Sequence, residues 1–179
     1  MLSKEVALIK GAALRERVIE WLAKAPKKFW GIPASSSGKY HSADECVPGG
    51  CVLHTRRVVA MVLVLAPAYS LSPEGTDLCI AAALLHDVMK QGDGDDPLVR
   101  CSREEYDRHG PNIQGWFISR FGTEVLNDAY ASEVIKLVTS HMGPWSPDGI
   151  RPYSPTAWCL FMADYMASRK WVAPVVPLA

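Results

Sequence analysis

The stretch at residues 81–90 reads Ala-Ala-Ala-Leu-Leu-His-Asp-Val-Met-Lys. Its first five residues are small or apolar and predict a buried helix, yet a histidine and an aspartate follow them directly. A buried imidazole or carboxylate is unfavourable unless it is hydrogen-bonded, paired or bound to a metal. Adjacent imidazole and carboxylate groups can also bind different ions, because the carboxylate bridges through its two oxygens. The pair His86-Asp87 therefore predicts a metal site in the core, with two ions.

Four other residues are expected to point into the same core. His141 ends an apolar stripe with helical spacing over residues 134–138, and His54 heads a helix with an apolar stripe of its own. Asp164 lies on the apolar face of the last predicted helix, where an unpaired carboxylate is unfavourable. His109 precedes a Gly-Pro pair and is expected at a helix junction. The predicted metal ligands are His54, His86, Asp87, His109, His141 and Asp164.

Each of these residues also has an ordinary explanation. A single histidine on an apolar face is more often a hydrogen-bonded core residue than a ligand. Asp164 can form a salt bridge with a cation such as Arg169. The metal site is favoured because the candidates form a series along the chain, which independent core residues would produce only by repeated coincidence.

Helical periodicity runs along the chain, and no alternating strand pattern interrupts it. Residues 3–25 predict an amphipathic opening helix, and residues 26–50 predict an extended loop because they are rich in Pro, Gly and Ser. Further helices are predicted at residues 53–66, 76–90, 103–120, 123–142 and 155–171. The sequence therefore predicts an all-α helical bundle.

The start signals of two helices support these boundaries. Ser102 and Glu105 have the spacing of a capping box, and Ser154 before Pro155 supplies an N-cap followed by a first-turn proline. We expect one domain over residues 1–179, with an N-terminal helix at 1–25, a loop at 26–50, a metal-binding core at 51–171 and a tail at 172–179. The apolar tail is expected to pack on the core or to face a second subunit, which leaves a homodimer open.

Composition restricts the compartment and the partners. Lys plus Arg number 19 and Asp plus Glu number 19, so no overall basic field exists to hold a long nucleic acid. A small anionic substrate is favoured instead. The five cysteines form no Cys-x-x-Cys pair, and the longest central apolar run, at 58–68, is too short to span a bilayer. We expect a cytoplasmic protein with no membrane partner.

The order His, His-Asp, His, His, Asp on predicted helices resembles the HD-domain superfamily of metal-dependent phosphohydrolases. The segments at 39–42 (KYHS) and 48–55 (PGGCVLHT) are similar to the HD domain of bacterial 3′-to-5′ exoribonucleases, as are those at 83–87 (ALLHD) and 140–143 (SHMG). The similarity covers most of residues 33–170. Those exoribonucleases carry an OB domain in front, for which this chain has no room, so a polymer substrate is not expected.

The resemblance implies a dinuclear phosphohydrolase that acts on a nucleotide or a short phosphodiester. We hypothesise that one ion is bound by four of the predicted ligands, His54, His86, Asp87 and Asp164. The second ion is bound by His109 and His141 and shares Asp87, and a bridging water attacks the phosphorus. The divalent metal can be Mn, Fe, Co, Ni, Zn or Mg. The predicted catalytic residues are Asp87 and Lys90, the lysine lying one helical turn after His86 and contacting a phosphate oxygen or assisting the leaving group.

Four residues are candidates for binding the substrate. Lys39 and Arg57 can contact phosphate, while Trp145 and Tyr153 can stack on a base. A surface salt bridge or a place at the rim of the core is the alternative for each. Three other functions stay open at this point: a mixed-valent di-iron oxygenase of the same superfamily, a nuclease acting on RNA or DNA ends, and a non-catalytic nucleotide-binding sensor.

Overall fold

The computed structural model describes residues 2–35, 37–96 and 99–172. Within these ranges the chain forms α-helices and short 3-10 helices and no strand, which confirms the predicted all-α fold. The α-helices are α1 (Ser3–Val6), α2 (Ala12–Ala23), α3 (Lys27–Gly31), α4 (Gly50–Leu65), α5 (Pro73–Leu85), α6 (Arg103–Asp107), α7 (His109–Phe121), α8 (Ala129–Ser140) and α9 (Pro155–Ala167). The 3-10 helices are Ala43–Glu45, Thr123–Asn127 and Gly143–Trp145.

Helix α5 is the central helix of the bundle. It packs against α4, α8 and α9, and every residue from Cys79 to Leu85 is at most 1% exposed. A helix that is apolar on all sides is stable only when neighbours surround it, and each fully buried leucine contributes roughly 1.5–3 kcal/mol. The end of α5 therefore places His86 and Asp87 in the middle of the core.

The prediction of one helix over residues 3–25 is wrong. Helices α1 and α2 are separate, because the carboxylate of Asp77 in α5 accepts hydrogen bonds from the backbone N–H groups of Lys10 and Gly11, at 3.0 and 2.7 Å. These amides are therefore committed to a side chain instead of continuing α1. The same carboxylate lies at the N-terminus of α2, where negative charge is stabilising.

The helix predicted at 76–90 is also shorter than expected. It begins earlier, after the N-cap Ser72, and it ends at Leu85. Beyond that residue the backbone N–H groups of Val88 and Lys90 donate to carbonyls three residues earlier, as in turns. Lys90 therefore lies in a turn and not one α-helical turn beyond His86, as the sequence had indicated.

Two further predicted helices are interrupted. The segment 103–120 breaks at Arg108, so His109 begins α7 and its expected position at a helix junction is confirmed. The segment 123–142 becomes a 3-10 turn followed by α8, because Asp128 caps α8 by accepting from Ala131 N at 3.0 Å. The last helix ends at Ala167, short of the predicted 171. The capping box of Ser102 with Glu105 and the N-cap at Ser154 are confirmed.

The region predicted as an extended loop at 26–50 contains helix α3 and the 3-10 turn Ala43–Glu45. Glu45 is fully buried, and its backbone carbonyl accepts from Ala34 N at 2.8 Å. Gly50, at the start of α4, packs so closely on Glu45 that an added Cβ would lie 2.1 Å from the same carbonyl oxygen. The loop is thus fixed against α4 rather than free.

No helix among the described residues is both long enough and apolar enough to cross a membrane. Cys79 and Cys159 are buried, as expected for small core residues. Of the predicted tail, Val172 packs against the core, and residues 173–179 lie outside the described ranges.

We predict that Gly50→Ala destabilises the fold and that Gly115→Ala does not. The new Cβ at position 50 would collide with the Glu45 carbonyl, and overpacking of this kind costs about 1–3 kcal/mol. A Cβ added at Gly115, inside α7, would meet no atom within 4 Å beyond its own helix backbone and chain neighbours, and alanine is more favourable than glycine in a helix by about 0.5–1 kcal/mol. Thermal unfolding should show a lower Tm for Gly50→Ala and an equal or higher Tm for Gly115→Ala. Equal Tm values for Gly50→Ala and wild type would contradict the close packing of this loop.

Candidate metal centre

The six side chains singled out in the sequence converge on one point of the core. They come from α4, the end of α5, the start of α7, the end of α8, and α9, and are His54, His86, Asp87, His109, His141 and Asp164. The ring centroids are 5.4 Å apart for His54 and His86, and 5.3 Å apart for His86 and His141. The centroids of His141 and His109 are 5.0 Å apart. The four histidines and Asp87 are at most 3% exposed.

Three of the histidines are oriented in the same way. In His86, His109 and His141 the ring nitrogen Nδ1 lies 2.7, 2.6 and 2.6 Å from the backbone carbonyl oxygen three residues earlier. Each of them follows the end of a helix or lies at its C-cap, where the carbonyls lack the regular α-helical hydrogen bond from four residues later. Donation from Nδ1–H satisfies that carbonyl and leaves the lone pair of Nε2 facing the core. This is the tautomer that ligation through Nε2 requires.

One group of donor atoms comprises Asp87, His109 and His141. The Nε2 atoms of His109 and His141 are 3.1 Å apart, and Asp87 Oδ1 lies 3.1 Å from His109 Nε2. When both rings are neutral with the proton on Nδ1, two lone pairs face each other here, which is unfavourable without a cation or a shared proton between them. The three donor atoms lie close enough together to hold one metal ion.

A second group comprises His54, His86 and Asp164. His54 Nε2 lies 2.9 Å from Asp164 Oδ1, and His86 Nε2 lies 3.8 Å from the same oxygen. Among the described residues, His86 Nε2 is buried and has no hydrogen-bond partner, as expected of a ligand atom that a cation would satisfy. Asp164 contacts His54 and His86, and the salt bridge with Arg169 considered from the sequence is not among the ion pairs of the described residues. The donor set fits a divalent metal.

Burial and neighbouring charges separate the protonation states of these groups. Burial, together with charge repulsion from His109 and His86, lowers the pKa of His141 to about 3. Burial also opposes a charge on His54, but the hydrogen bond with Asp164 and the nearby carboxylate of Glu45 outweigh it and raise the pKa of His54 to about 9. Metal ligation needs the neutral imidazole, so binding at His54 would release a proton near neutral pH.

Lys90 is paired with Asp87. Its Nζ lies 2.6 Å from Asp87 Oδ2, and the lysine is only 7% exposed. Burial opposes both charges, but each group stabilises the other: the pKa of Lys90 is raised above its usual value and the pKa of Asp87 is held well below its own. Asp87 Oδ2 also lies 3.5 Å from His86 Nε2, so the two carboxylate oxygens face the two groups of histidines.

The sequence interpretation missed two residues of the site. It quoted His41 only as part of a family motif and did not consider Glu45. The carboxylate of Glu45 accepts from His41 Nδ1 at 2.7 Å and from Arg57 Nη1 at 2.8 Å, and it lies 3.7 Å from His54 Nδ1. Burial raises the pKa of Glu45, yet its hydrogen bonds with His41 and Arg57 and the nearby imidazole of His54 hold that pKa well below the usual range. Glu45 is thus a charged partner that orients His54. The i, i+4 spacing of His41 and Glu45 was the available signal, but it lies outside any periodic segment.

Four of the six candidate ligands open onto a cavity of about 440 Å³. Its lining includes Asp87, Lys90, His109, His141 and Asp164, together with aromatic side chains. A cavity of this size is typical of small-molecule sites.

Of the four residues expected to bind substrate, one lines this cavity. Trp145 does so and is 58% exposed. Arg57 was expected to contact phosphate, but it does not line the cavity. Its guanidinium is buried and bound to the carboxylates of Asp44 and Glu45. Tyr153 lies outside the cavity and donates to Glu133 at 2.7 Å. The exposed Lys39 is also outside the lining and lies over a tyrosine ring.

Comparisons with known proteins agree with this geometry. A family model described as HD domain matches residues 52–169. The dihydroneopterin 2′,3′-cyclic phosphate phosphodiesterase of Methanocaldococcus jannaschii is 31% identical over an alignment of 174 positions, which covers 90% of this chain and 65% of that relative. The chain thus spans less than two thirds of the relative's length. No solved structure matches the chain. Because the family model spans all six converging side chains and most of the helical core, the chain belongs to the HD domain family.

Proposed function

We propose that this chain is a metal-dependent phosphohydrolase that cleaves a small phosphodiester. The observation that carries the proposal is the pair of Nε2 atoms of His109 and His141, 3.1 Å apart and next to the carboxylate of Asp87. Three buried donor atoms facing one point are stable when they bind a cation. Membership of the HD domain family and the phosphodiesterase name of the relative support the same conclusion.

We further propose a dinuclear centre in which Asp87 bridges. Its Oδ1 faces His109 at 3.1 Å and its Oδ2 lies 3.5 Å from His86, so one carboxylate reaches both groups of ligands. His54, His86 and Asp164 would hold one ion with Asp87, while His109 and His141 would hold the other with it. Bound divalent ions supply Lewis acidity, withdrawing charge from phosphoryl oxygens and making water more acidic.

The residues of the chain supply orientation and charge. The backbone carbonyls that accept from Nδ1 hold three of the imidazoles in place, and Glu45 holds His54. Lys90 keeps a positive charge at the cavity wall and would share it between Asp87 and a phosphoryl oxygen. Preorganised charges in a site that excludes water stabilise the phosphoryl transition state more strongly than charges in water do.

The substrate we propose is a cyclic phosphodiester of a nucleoside or of a similar compound with a flat heterocycle. The relative is named for a 2′,3′-cyclic phosphate substrate, and a cavity of about 440 Å³ accepts a molecule of this size. The balance of 19 basic and 19 acidic residues disfavours long nucleic acids, whose affinity depends on many phosphate contacts.

This proposal is tested by incubating the manganese-loaded protein with adenosine 2′,3′-cyclic phosphate and, separately, with long single-stranded RNA. We expect hydrolysis of the cyclic ester to a monoester and weak binding of the RNA. Tight, salt-sensitive RNA binding would favour the nuclease, since such binding reports many phosphate contacts. Oxygen uptake by anaerobically purified, iron-loaded protein without phosphate ester cleavage would favour the di-iron oxygenase. Binding of the cyclic ester without turnover would favour the sensor.

We predict that Asp87→Asn loses bound metal as well as activity. The wild type should bind up to two ions per chain, and removing the bridging charge weakens both positions. Asparagine is preferred to alanine because it keeps the shape beside Lys90, although breaking a buried ion pair still costs about 3–5 kcal/mol. Metal analysis of dialysed protein measures the loss, and circular dichroism checks the fold. Asp95→Ala, an exposed carboxylate outside the site, is the control. Full metal content in a folded Asp87→Asn would rule out the dinuclear centre.

Lys90→Ala is predicted to keep its metal and to lose turnover. If Lys90 contacts the reacting phosphate, kcat should fall by about tenfold or more, which corresponds to about 1.4 kcal/mol in the barrier. Lys90→Arg should restore only part of the rate, because a planar fork differs from a point charge. The matched control is Lys28→Ala, since Lys28 is also buried but bonds to the carbonyls of Gln91 and Val99. A wild-type kcat in Lys90→Ala at normal metal content would show that Lys90 does not act on the reacting phosphate and serves only as the ion-pair partner of Asp87.

A further inference from the structure

The cavity wall carries a cation that the metal site does not use. One lysine and one arginine, Lys90 and Arg169, line the cavity. Lys90 is paired with Asp87 at 2.6 Å, whereas Arg169 bonds to uncharged acceptors: its Nε donates to the Tyr165 carbonyl at 3.1 Å and its Nη2 donates to Ser168 Oγ at 3.0 Å. Over residues 2–35, 37–96 and 99–172, no ion pair includes Arg169. Its charge is therefore available to an anionic ligand.

Arg169 is held in place by two aromatic rings. The guanidinium carbon lies 4.5 Å from the ring centroid of Tyr40 and 4.2 Å from that of Tyr165, distances typical of cation–π contacts. The backbone N–H of Lys170 donates to the Tyr40 carbonyl at 2.8 Å, which joins the loop before α4 to the end of α9. A guanidinium fixed in this way loses little conformational freedom when it binds an anion.

Trp145 extends the same row of rings. It stacks on Tyr165 with centroids 5.4 Å apart and an interplanar angle of 4°, and it lines the cavity while 58% exposed. The turn that carries it is fixed by Gly143, whose φ is +52° and where an added Cβ would lie 2.6 Å from the ring of Phe161. We call Tyr40, Arg169, Tyr165 and Trp145 the aromatic–arginine stack. It offers an exposed indole and an unpaired cation to one cavity.

We propose that the aromatic–arginine stack selects the substrate: Trp145 stacks on a flat heterocycle and Arg169 binds phosphoryl oxygens of the same molecule. This inference rests on the proposed phosphodiesterase function and names the substrate class as a phosphate ester that carries a planar ring. Bases stack on exposed aromatic side chains whatever their identity, and the arginine fork matches two phosphoryl oxygens. Both side chains line a cavity of about 440 Å³, so one small ligand can contact them together.

The test uses the manganese-loaded full chain and isothermal titration with three probes: adenosine 3′-monophosphate, adenosine, and glycerol 2-phosphate. We expect Arg169→Ala to weaken binding of the two phosphate esters by about tenfold and to leave adenosine unchanged. Trp145→Ala should weaken the binding of adenosine 3′-monophosphate and of adenosine by about tenfold and leave the binding of glycerol 2-phosphate unchanged. Arg169→Lys should bind the phosphate esters with intermediate affinity, because it keeps the charge without the fork.

Matched controls are Lys170→Ala and Trp171→Ala. Both side chains are exposed neighbours in sequence that lie outside the cavity lining, and they should bind all three probes as the wild type does. Thermal unfolding checks that each variant is folded. Wild-type affinity for adenosine 3′-monophosphate in Arg169→Ala or Trp145→Ala would overturn the inference. So would an equal loss for all three probes, or no binding by the wild type.

The titrations test the subsite and the turnover assay tests the proposed function, so either proposal can be contradicted without the other. If the expected pattern holds but the wild type cleaves no cyclic phosphodiester, the subsite stands and the proposed function is wrong. If the wild type cleaves adenosine 2′,3′-cyclic phosphate but the variants bind the probes like the wild type, the function stands and the subsite is wrong.

Discussion

The buried carboxylate of Asp87 is the group on which the rest of the site depends. It lies 2.6 Å from Lys90 Nζ, 3.1 Å from His109 Nε2 and 3.5 Å from His86 Nε2. A carboxylate at 2% exposure is stable only with charged or hydrogen-bonding partners on both oxygens. The ends of several helices therefore have to meet around it, and the apolar faces of those helices close the core behind it.

The ends of the helices also explain how the imidazoles are oriented. A helix leaves its last carbonyls without intrahelical partners, and an imidazole that follows the end can satisfy one of them. His86, His109 and His141 all do this through Nδ1, so the same contact that completes a helix end directs Nε2 towards the shared centre. His54 lies inside α4 instead and has no such carbonyl. Its orientation depends on Glu45 and Asp164, which come from other segments.

Cations near the site have different roles because their partners differ. Arg57 is neutralised by Asp44 and Glu45, and it holds the loop before α4 in the position that brings His41 to the cavity. Lys90 is neutralised by Asp87. Arg169 contacts aromatic rings and uncharged oxygens. Among the described lysines and arginines that line the cavity, it is therefore the one whose charge no carboxylate neutralises. Sequence position alone does not distinguish these three cases.

The sequence by itself determined the all-α fold and the convergence of six side chains, because polar groups on apolar helical faces must meet in the core. It did not determine the break that Asp77 fixes between α1 and α2, the roles of His41 and Glu45, or the ion pair that buries Arg57. Only the tertiary structure decided these features. Each of these features depends on a hydrogen bond or an ion pair between residues that do not belong to one periodic helical pattern. Periodicity reports only which face of a helix is buried, so it does not predict such contacts.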